Sequence, residues 1–169
     1  NDFVNKTQLV HTEDGKKELQ GRVAAARLSS GTLDYTLGGL YFPPVNSMKQ
    51  KQYDEVCTKI IKWFDAVLAK MPQRSIPIFA MDLNQDMPDR QTTFVDSKVV
   101  GHSVYGKSKN SIPSKLIEVL KVHGLCLVNT YFDAGETFYG TKDSKTRIDY
   151  VIAPDSMLNT FQKSYVHQR

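Results

Sequence analysis

A short apolar run that stops abruptly at polar residues constrains the fold of this chain more than any other feature. Residues 76–81 read Ile-Pro-Ile-Phe-Ala-Met, and Asp82-Leu83-Asn84 follows directly. A run of this length, rich in β-branched and aromatic residues, predicts a strand buried on both faces. Open α/β sheets bind ligands beyond the carboxyl ends of such strands, which makes Asp82 and Asn84 candidate site residues. Asp and Asn also favour turns for purely local reasons, so a simple turn is the alternative.

The flanking sequence alternates between strand and helix patterns. Loose alternation on either side of Gly31 predicts a hairpin, and a long apolar stripe at three- and four-residue spacing predicts a helix. Pro113 and Gly124 bracket a second helix. This mixture is typical of an α/β or α+β layered domain. The predicted strands are residues 19–28, 32–41, 76–81, 125–130, 137–139 and 146–153, and the predicted helices are residues 49–71 and 114–123.

Length and composition narrow the class of protein. A chain of 169 residues is long enough for one domain with a real core. No apolar run is long enough to cross a bilayer, so we expect no membrane insertion. Cys57 and Cys126 lie within apolar stretches and make no disulfide framework, which favours a reducing, intracellular compartment. The net charge of +4 is compatible with a polyanionic partner but is shared by many ordinary proteins.

A second candidate residue is Asp149, which follows Arg147-Ile148 inside an apolar strand pattern. An unpaired carboxylate buried in such a strand would cost several kcal/mol. Asp149 is therefore expected to form a salt bridge with Arg147 or a lysine, to bind a metal, or to belong to a site.

Together these residues form a pattern that resembles the endonuclease/exonuclease/phosphatase superfamily, and most closely the endonucleases of non-LTR retrotransposons. The resemblance covers nearly the whole chain and implies part of a four-layer α/β sandwich with mixed sheets, with residues 1–169 forming a single partial domain. Four stretches match in order: Gly21-Arg22-Val23, Gly39-Leu40-Tyr41-Phe42-Pro43-Pro44, Met81-Asp82-Leu83-Asn84, and Thr137-Phe138-Tyr139-Gly140 followed by Arg147-Ile148-Asp149-Tyr150.

The chemistry implied by the resemblance is Mg²⁺-assisted hydrolysis of a phosphodiester. By resemblance, Asp82 would orient or deprotonate the attacking water, and Asn84 would hold a phosphate oxygen. Tyr41 would donate to the scissile phosphate. Asp149 would orient a histidine that stabilises the developing negative charge.

The same resemblance implies contacts with a nucleic acid. Phe138 could stack on a sugar or base, although an aromatic residue in a strand is commonly part of the core. Lys142, Lys145 and Arg147 would contact backbone phosphates, with solvated surface cations as the alternative. The four histidines show no metal-ligand spacing, so zinc is not implied and an oxygen-ligated Mg²⁺ is the expected metal.

Three departures separate this chain from the family pattern. The early strand ending in asparagine and the Gln-Glu motif are absent, and with them the glutamate that binds the metal. The C-terminal Ser-Asp-His segment is also missing, and we interpret His167 as part of an exposed tail. Met81 stands where the motif has glycine, which adds a side chain where the backbone passes close to its surroundings.

Three hypotheses about function follow. The first is an endonuclease-like phosphodiesterase, or a fragment of one, with nucleic acid as its partner and Mg²⁺ as its cofactor. The second is a degenerate, non-catalytic relative that serves as a structural subunit, with protein partners covering its open sheet edges. The third keeps the fold but changes the substrate to a phosphoinositide, sphingomyelin or nucleotide, and the loop of residues 85–110 would set that choice.

Overall fold

The computed structural model describes residues 6–9, 19–88, 98–103, 111–140 and 145–166. The strands and helices are, in chain order, β1 (Lys6–Leu9), β2 (Val23–Ser30), β3 (Leu33–Tyr41), α1 (Gln50–Lys70), β4 (Ile76–Asp82), α2 (Ser111–Val122), β5 (Leu125–Leu127), β6 (Phe138–Tyr139), β7 (Lys145–Thr146) and β8 (Asp149–Pro154). Six strands form one mixed sheet in the spatial order β1-β2-β3-β4-β8-β5, and a separate hairpin pairs β6 with β7. Strands β3 and β4 are parallel, whereas the other neighbours in the sheet are antiparallel.

The predicted hairpin, long helix and central strand are all confirmed, with ends shifted by a few residues. Helix α1 turns its apolar stripe toward the sheet, and the two helices and one sheet face share a single core. The rings of Phe64 and Phe79 meet edge to face, with their centroids 4.9 Å apart. Gly38 lies directly beneath the Phe79 ring, where a larger residue would not fit. The close approach of β3, β4 and α1 therefore depends on a glycine at this position.

The expectation that β4 is buried on both faces is wrong. Phe79 and Met81 are buried, whereas Ala80 between them is exposed. The reason is that α1 and α2 cover one face of the sheet, while much of the other face carries exposed apolar side chains. We call this second surface the open face, defined by Ala24, Leu33, Leu37, Ala80 and Val151.

Two other predicted strands are shorter than expected. The strand over residues 125–130 ends at Leu127, and a 3-10 helix follows, in which the Thr130 hydroxyl donates to the Leu127 carbonyl at 2.6 Å. The strand over residues 146–153 is split into β7 and β8, with Arg147 between them. Strand β1 was not predicted, and α2 begins at Ser111, three residues before the predicted start.

Further expectations concern cysteines and membranes. Cys57 and Cys126 are buried free thiols, in agreement with the sequence. Among the described residues, neither helix combines the length and apolar character needed to span a membrane. Of the predicted loop over residues 85–110, positions 89–97 and 104–110 lie outside the described residues.

Candidate active site

Three of the predicted site residues lie side by side across three neighbouring strands. Tyr41, the last residue of β3, pairs with Asp82 at the end of β4, and Asp82 pairs with Asp149 at the start of β8. The parallel pair β3 and β4 brings two carboxyl ends together, and antiparallel β8 begins where β4 ends. All three residues line a groove of about 650 Å³. We call Tyr41, Asp82 and Asp149 the polar row.

Asp82 has an unusual electrostatic environment. Burial raises the pKa of its carboxyl group, and the neighbouring charge of Asp149 raises it further. The backbone N–H of Asn84 donates to Asp82 Oδ1 at 2.9 Å, and this hydrogen bond lowers the pKa. The net result is a carboxylate that holds a proton more tightly than an exposed aspartate does, a property expected of a general base.

Asn84 is not among the described residues that line the groove, and its side chain stabilises the chain next to Asp82. Its backbone adopts the left-handed conformation with a φ of 53°, which asparagine tolerates better than most residues. Asn84 Nδ2 donates to the Phe42 carbonyl at 2.8 Å and so ties the end of β4 to the segment that leaves β3. An amide nitrogen carries two hydrogens, and this bond uses one of them.

The backbone at Asp149 is held from two sides. Thr137 Oγ1 accepts hydrogen bonds from the backbone N–H groups of Ile148 at 3.0 Å and Asp149 at 3.2 Å. Asn129 Nδ2 donates to the Asp149 carbonyl at 2.9 Å, and Asn129 Oδ1 accepts from the Val151 N–H at 3.2 Å. These bonds fix the first residues of β8, and with them the position of the half-buried Asp149 side chain.

Arg147 is part of the support of the groove rather than a surface cation. Its side chain is 1% exposed, and its guanidinium donates to the carbonyls of Gly135 at 2.8 Å, Ser103 at 2.7 Å and Asn129 at 2.9 Å. Through these bonds Arg147 joins three separate segments of the chain that surround the groove. Its predicted contact with a backbone phosphate stays a prediction.

The predicted nucleic-acid contacts lie on the β6–β7 hairpin. Phe138 is 49% exposed, so it is not a core residue. The neighbouring Tyr139 is also exposed, and the ammonium group of Lys145 lies 5.8 Å from the centre of its ring. Lys142 lies outside the described residues, as does His167.

Sequence reasoning did not assign a role to three residues of the site. Asn129 and Thr137 hold β8 in place, and the guanidinium carbon of Arg22 lies 5.4 Å from the centre of the Tyr41 ring. One usable signal was a polar Asn129 within an apolar run. A second usable signal was Gly21, directly before Arg22. Its φ of 75° lies in the left-handed region that favours glycine, and the chain changes direction there.

The residues of the groove do not complete a metal site. No group of three or more His, Cys, Asp or Glu side chains comes together anywhere in the described ranges. Asp82 and Asp149 supply carboxylate oxygens, which Mg²⁺ prefers, but a protein-held ion commonly needs additional ligands or substrate phosphates. The described residues that line the groove include no glutamate of the kind expected from the family pattern.

This chain resembles known proteins in its structure and not in its sequence. No protein-family model and no curated protein matches its sequence. The 3′-5′ exonuclease NExo from Neisseria meningitidis matches 91% of the chain with a TM-score of 0.56 and 13% identity. An AP endonuclease from Archaeoglobus fulgidus matches 90% with a TM-score of 0.54 and 12% identity. The endonuclease domain of TRAS1, a telomere-specific non-LTR retrotransposon, matches 93% with a TM-score of 0.51 and 16% identity.

The match covers only part of each of these proteins. This chain spans about 60% of the length of the TRAS1 domain, the exonuclease and the AP endonuclease. At such low identities the likeness establishes a common fold, and the activity of each relative remains its own.

Proposed function

We propose that this chain, which has the endonuclease/exonuclease/phosphatase fold, forms the phosphate-facing part of a DNA phosphodiester hydrolase. The polar row carries the proposal, because it places a phenol and two carboxylates next to one another at one end of the sheet. Side chains in these positions can surround a single phosphate group in the groove. The structural relatives named above include DNA-processing enzymes, which supports DNA as the substrate.

Each residue has a chemical role in the proposed hydrolysis. Water attacks the phosphorus atom, the bond to one ester oxygen breaks, and this leaving oxygen takes a proton from solvent, so that the products are a phosphate monoester and an alcohol. Asp82 accepts the proton of the attacking water, and its raised pKa suits that role. The Tyr41 hydroxyl donates a hydrogen bond to one phosphate oxygen, and the second hydrogen of the Asn84 amide is proposed to bond another. The neighbouring charge of Asp149 raises the pKa of Asp82 further.

Magnesium belongs to this proposal only as a cofactor of a complete site. When bound, Mg²⁺ neutralises the charge of the phosphate and polarises its oxygens. Asp82 and Asp149 are the carboxylates that this chain can contribute, and further ligands would have to come from beyond the described residues. Hydrolysis is therefore proposed for this chain in the presence of Mg²⁺ and a substrate whose phosphates can complete the set of ligands.

The proposed DNA contacts lie on the β6–β7 hairpin, whose first strand follows the groove residue Thr137 in the sequence. Phe138 and Tyr139 expose aromatic rings on which a base can stack, and Lys145 lies beside them with a charge for a backbone phosphate. Lys142, which lies outside the described residues, is proposed as a second phosphate contact.

The open face supports a second candidate function, that of a non-catalytic interaction subunit. Leu33 is 50% exposed, Leu37 is 37% exposed and Val151 is 38% exposed, although all three belong to strands of the central sheet. Exposed apolar patches of this kind mark surfaces that other proteins cover. In this alternative the sheet packs against a protein partner, and the polar row is a remnant of the site.

The two functions are separated by plasmid nicking in the presence of Mg²⁺. The chain, its Asp82→Ala variant and a surface control, Lys62→Gln, are compared on supercoiled plasmid at equal concentration. The hydrolase hypothesis predicts nicking by the chain and the control, with a loss of at least a hundredfold in Asp82→Ala. Equal nicking by all three would exclude Asp82 as a catalytic residue, and no nicking by any would favour the interaction subunit.

A further inference from the structure

We propose that Arg22 is the residue that binds the phosphate group of a ligand in the groove. The inference rests on the proposed function and deepens it. The polar row contains no cationic side chain that could bind a phosphate, and Arg22 supplies one. Arg22 precedes β2 and lines the groove together with Tyr41, Asp82 and Asp149.

The backbone places the Arg22 side chain beside Tyr41. The Tyr41 N–H donates to the Arg22 carbonyl at 2.7 Å, so the two residues face each other across the β2–β3 hairpin. The guanidinium carbon lies 5.4 Å from the centre of the Tyr41 ring, within the range of a cation–π contact. This contact holds the guanidinium on the groove side of the strand and also restricts the ring of Tyr41.

The guanidinium has hydrogen-bonding capacity that the described residues do not use. Arg22 Nη1 is buried and has no hydrogen-bond partner among them. A buried donor without an acceptor is unfavourable, and more so in a charged group. Because Nη1 itself is closed to solvent, a phosphate oxygen in the groove would accept charge-assisted hydrogen bonds from the accessible N–H groups of the same half-buried guanidinium, whose geometry suits phosphate.

The charge balance of the groove leads to the same conclusion. Asp82 and Asp149 place two carboxyl groups in it, and both would repel an anionic ligand. Arg22 is the one cationic side chain among the described residues that line the groove. A phosphate can therefore enter favourably only on the side of the groove where Arg22 and Tyr41 lie.

The test measures binding rather than hydrolysis, so that it does not depend on a complete metal site. A fluorescein-labelled ten-nucleotide oligothymidylate is titrated with the chain and its variants at several NaCl concentrations, and anisotropy reports the Kd. The variants are Arg22→Gln, Arg22→Lys and the control Lys62→Gln, which removes the same charge from the exposed side of α1. Urea unfolding of each variant reports whether the fold is intact.

Arg22→Gln should weaken binding about tenfold or more, because one charge-assisted hydrogen bond is lost. The slope of log K against log salt should become shallower by about 0.7, the value for one phosphate contact on a single strand. Arg22→Lys should keep the salt slope and lose part of the affinity, since lysine keeps the charge without the planar fork. Lys62→Gln should change the affinity less than twofold.

The outcomes distinguish this inference from the function on which it rests. Tight binding by the parent chain with unchanged affinity and slope in Arg22→Gln would overturn the role of Arg22 and leave the proposed function standing. Failure of the parent chain to bind the oligonucleotide would overturn both. If Arg22→Gln unfolds at a lower urea concentration than the parent chain, the test uses Arg22→Lys instead. A salt slope for Arg22→Lys that is shallower than that of the parent chain would also contradict the proposal.

Discussion

Replacement of the buried Arg147 by methionine tests whether this residue supports the groove or contacts a ligand. The substitution removes the donors to three carbonyls, those of Gly135, Ser103 and Asn129. Each carbonyl that loses a buried donor costs about 1–3 kcal/mol, and the removal of a buried charge returns part of that cost. We expect a net loss of about 3 kcal/mol, a large fraction of the stability of an ordinary domain.

Urea unfolding followed by circular dichroism measures this loss directly. Arg147→Lys should fall between the parent and Arg147→Met, because an ammonium group can satisfy some of the three carbonyls. Lys62→Met, a matched substitution at an exposed site, should change the free energy of unfolding by less than about 0.5 kcal/mol. The reasoning would be refuted if Arg147→Met unfolded at the same urea concentration as the parent while losing affinity for oligonucleotide, since the guanidinium would then act on phosphate.

Three further predictions follow from the same structure. Burial and a neighbouring charge raise the pKa of Asp82, so the stability from its bound proton is present at low pH and lost as the pH rises through that pKa. Asp82→Asn should therefore raise Tm at pH 7 and leave it unchanged at pH 3; an equal change at both would contradict this. Gly38→Ala should cost about 1–3 kcal/mol in urea unfolding because its Cβ would overlap the Phe79 ring, and Phe79→Leu in the same chain should recover part of the loss. Burial raises the pKa of Cys57 and Cys126 to about 11, so neither should react with a thiol reagent at pH 8 until urea is added; rapid labelling of the folded chain would contradict their burial.

Local periodicity predicted both helices and most strands of the sheet, but not β1. Helix α1 and strand β4 were predicted within a residue or two, because a regular apolar stripe reports which face of an element is buried. The exposure of the second face of β4 could not be predicted, because it depends on whether another element covers that face. The shortening of β5 depends on a side-chain hydrogen bond from Thr130, which periodicity does not show.

The candidate site was predicted in its residues but not in its geometry. The motifs named Tyr41, Asp82 and Asp149, whereas their alignment in one row depends on pairing between strands that are far apart in the sequence. Arg147 illustrates the opposite failure. A charged residue type suggests a surface position, and only the surrounding carbonyls show that it is buried.

The polar row forms only when β4 and β8 pair in the correct register. Asp82 and Asp149 meet because β8 pairs with β4 in one particular register. A slip of a single residue would turn Asp149 to the opposite side of the sheet, into the apolar core beneath α1, and would place Ile148 or Tyr150 beside Asp82. A chain with misaligned strands would thus be both less stable and chemically inert, so that any activity measured for this protein comes from correctly paired molecules alone.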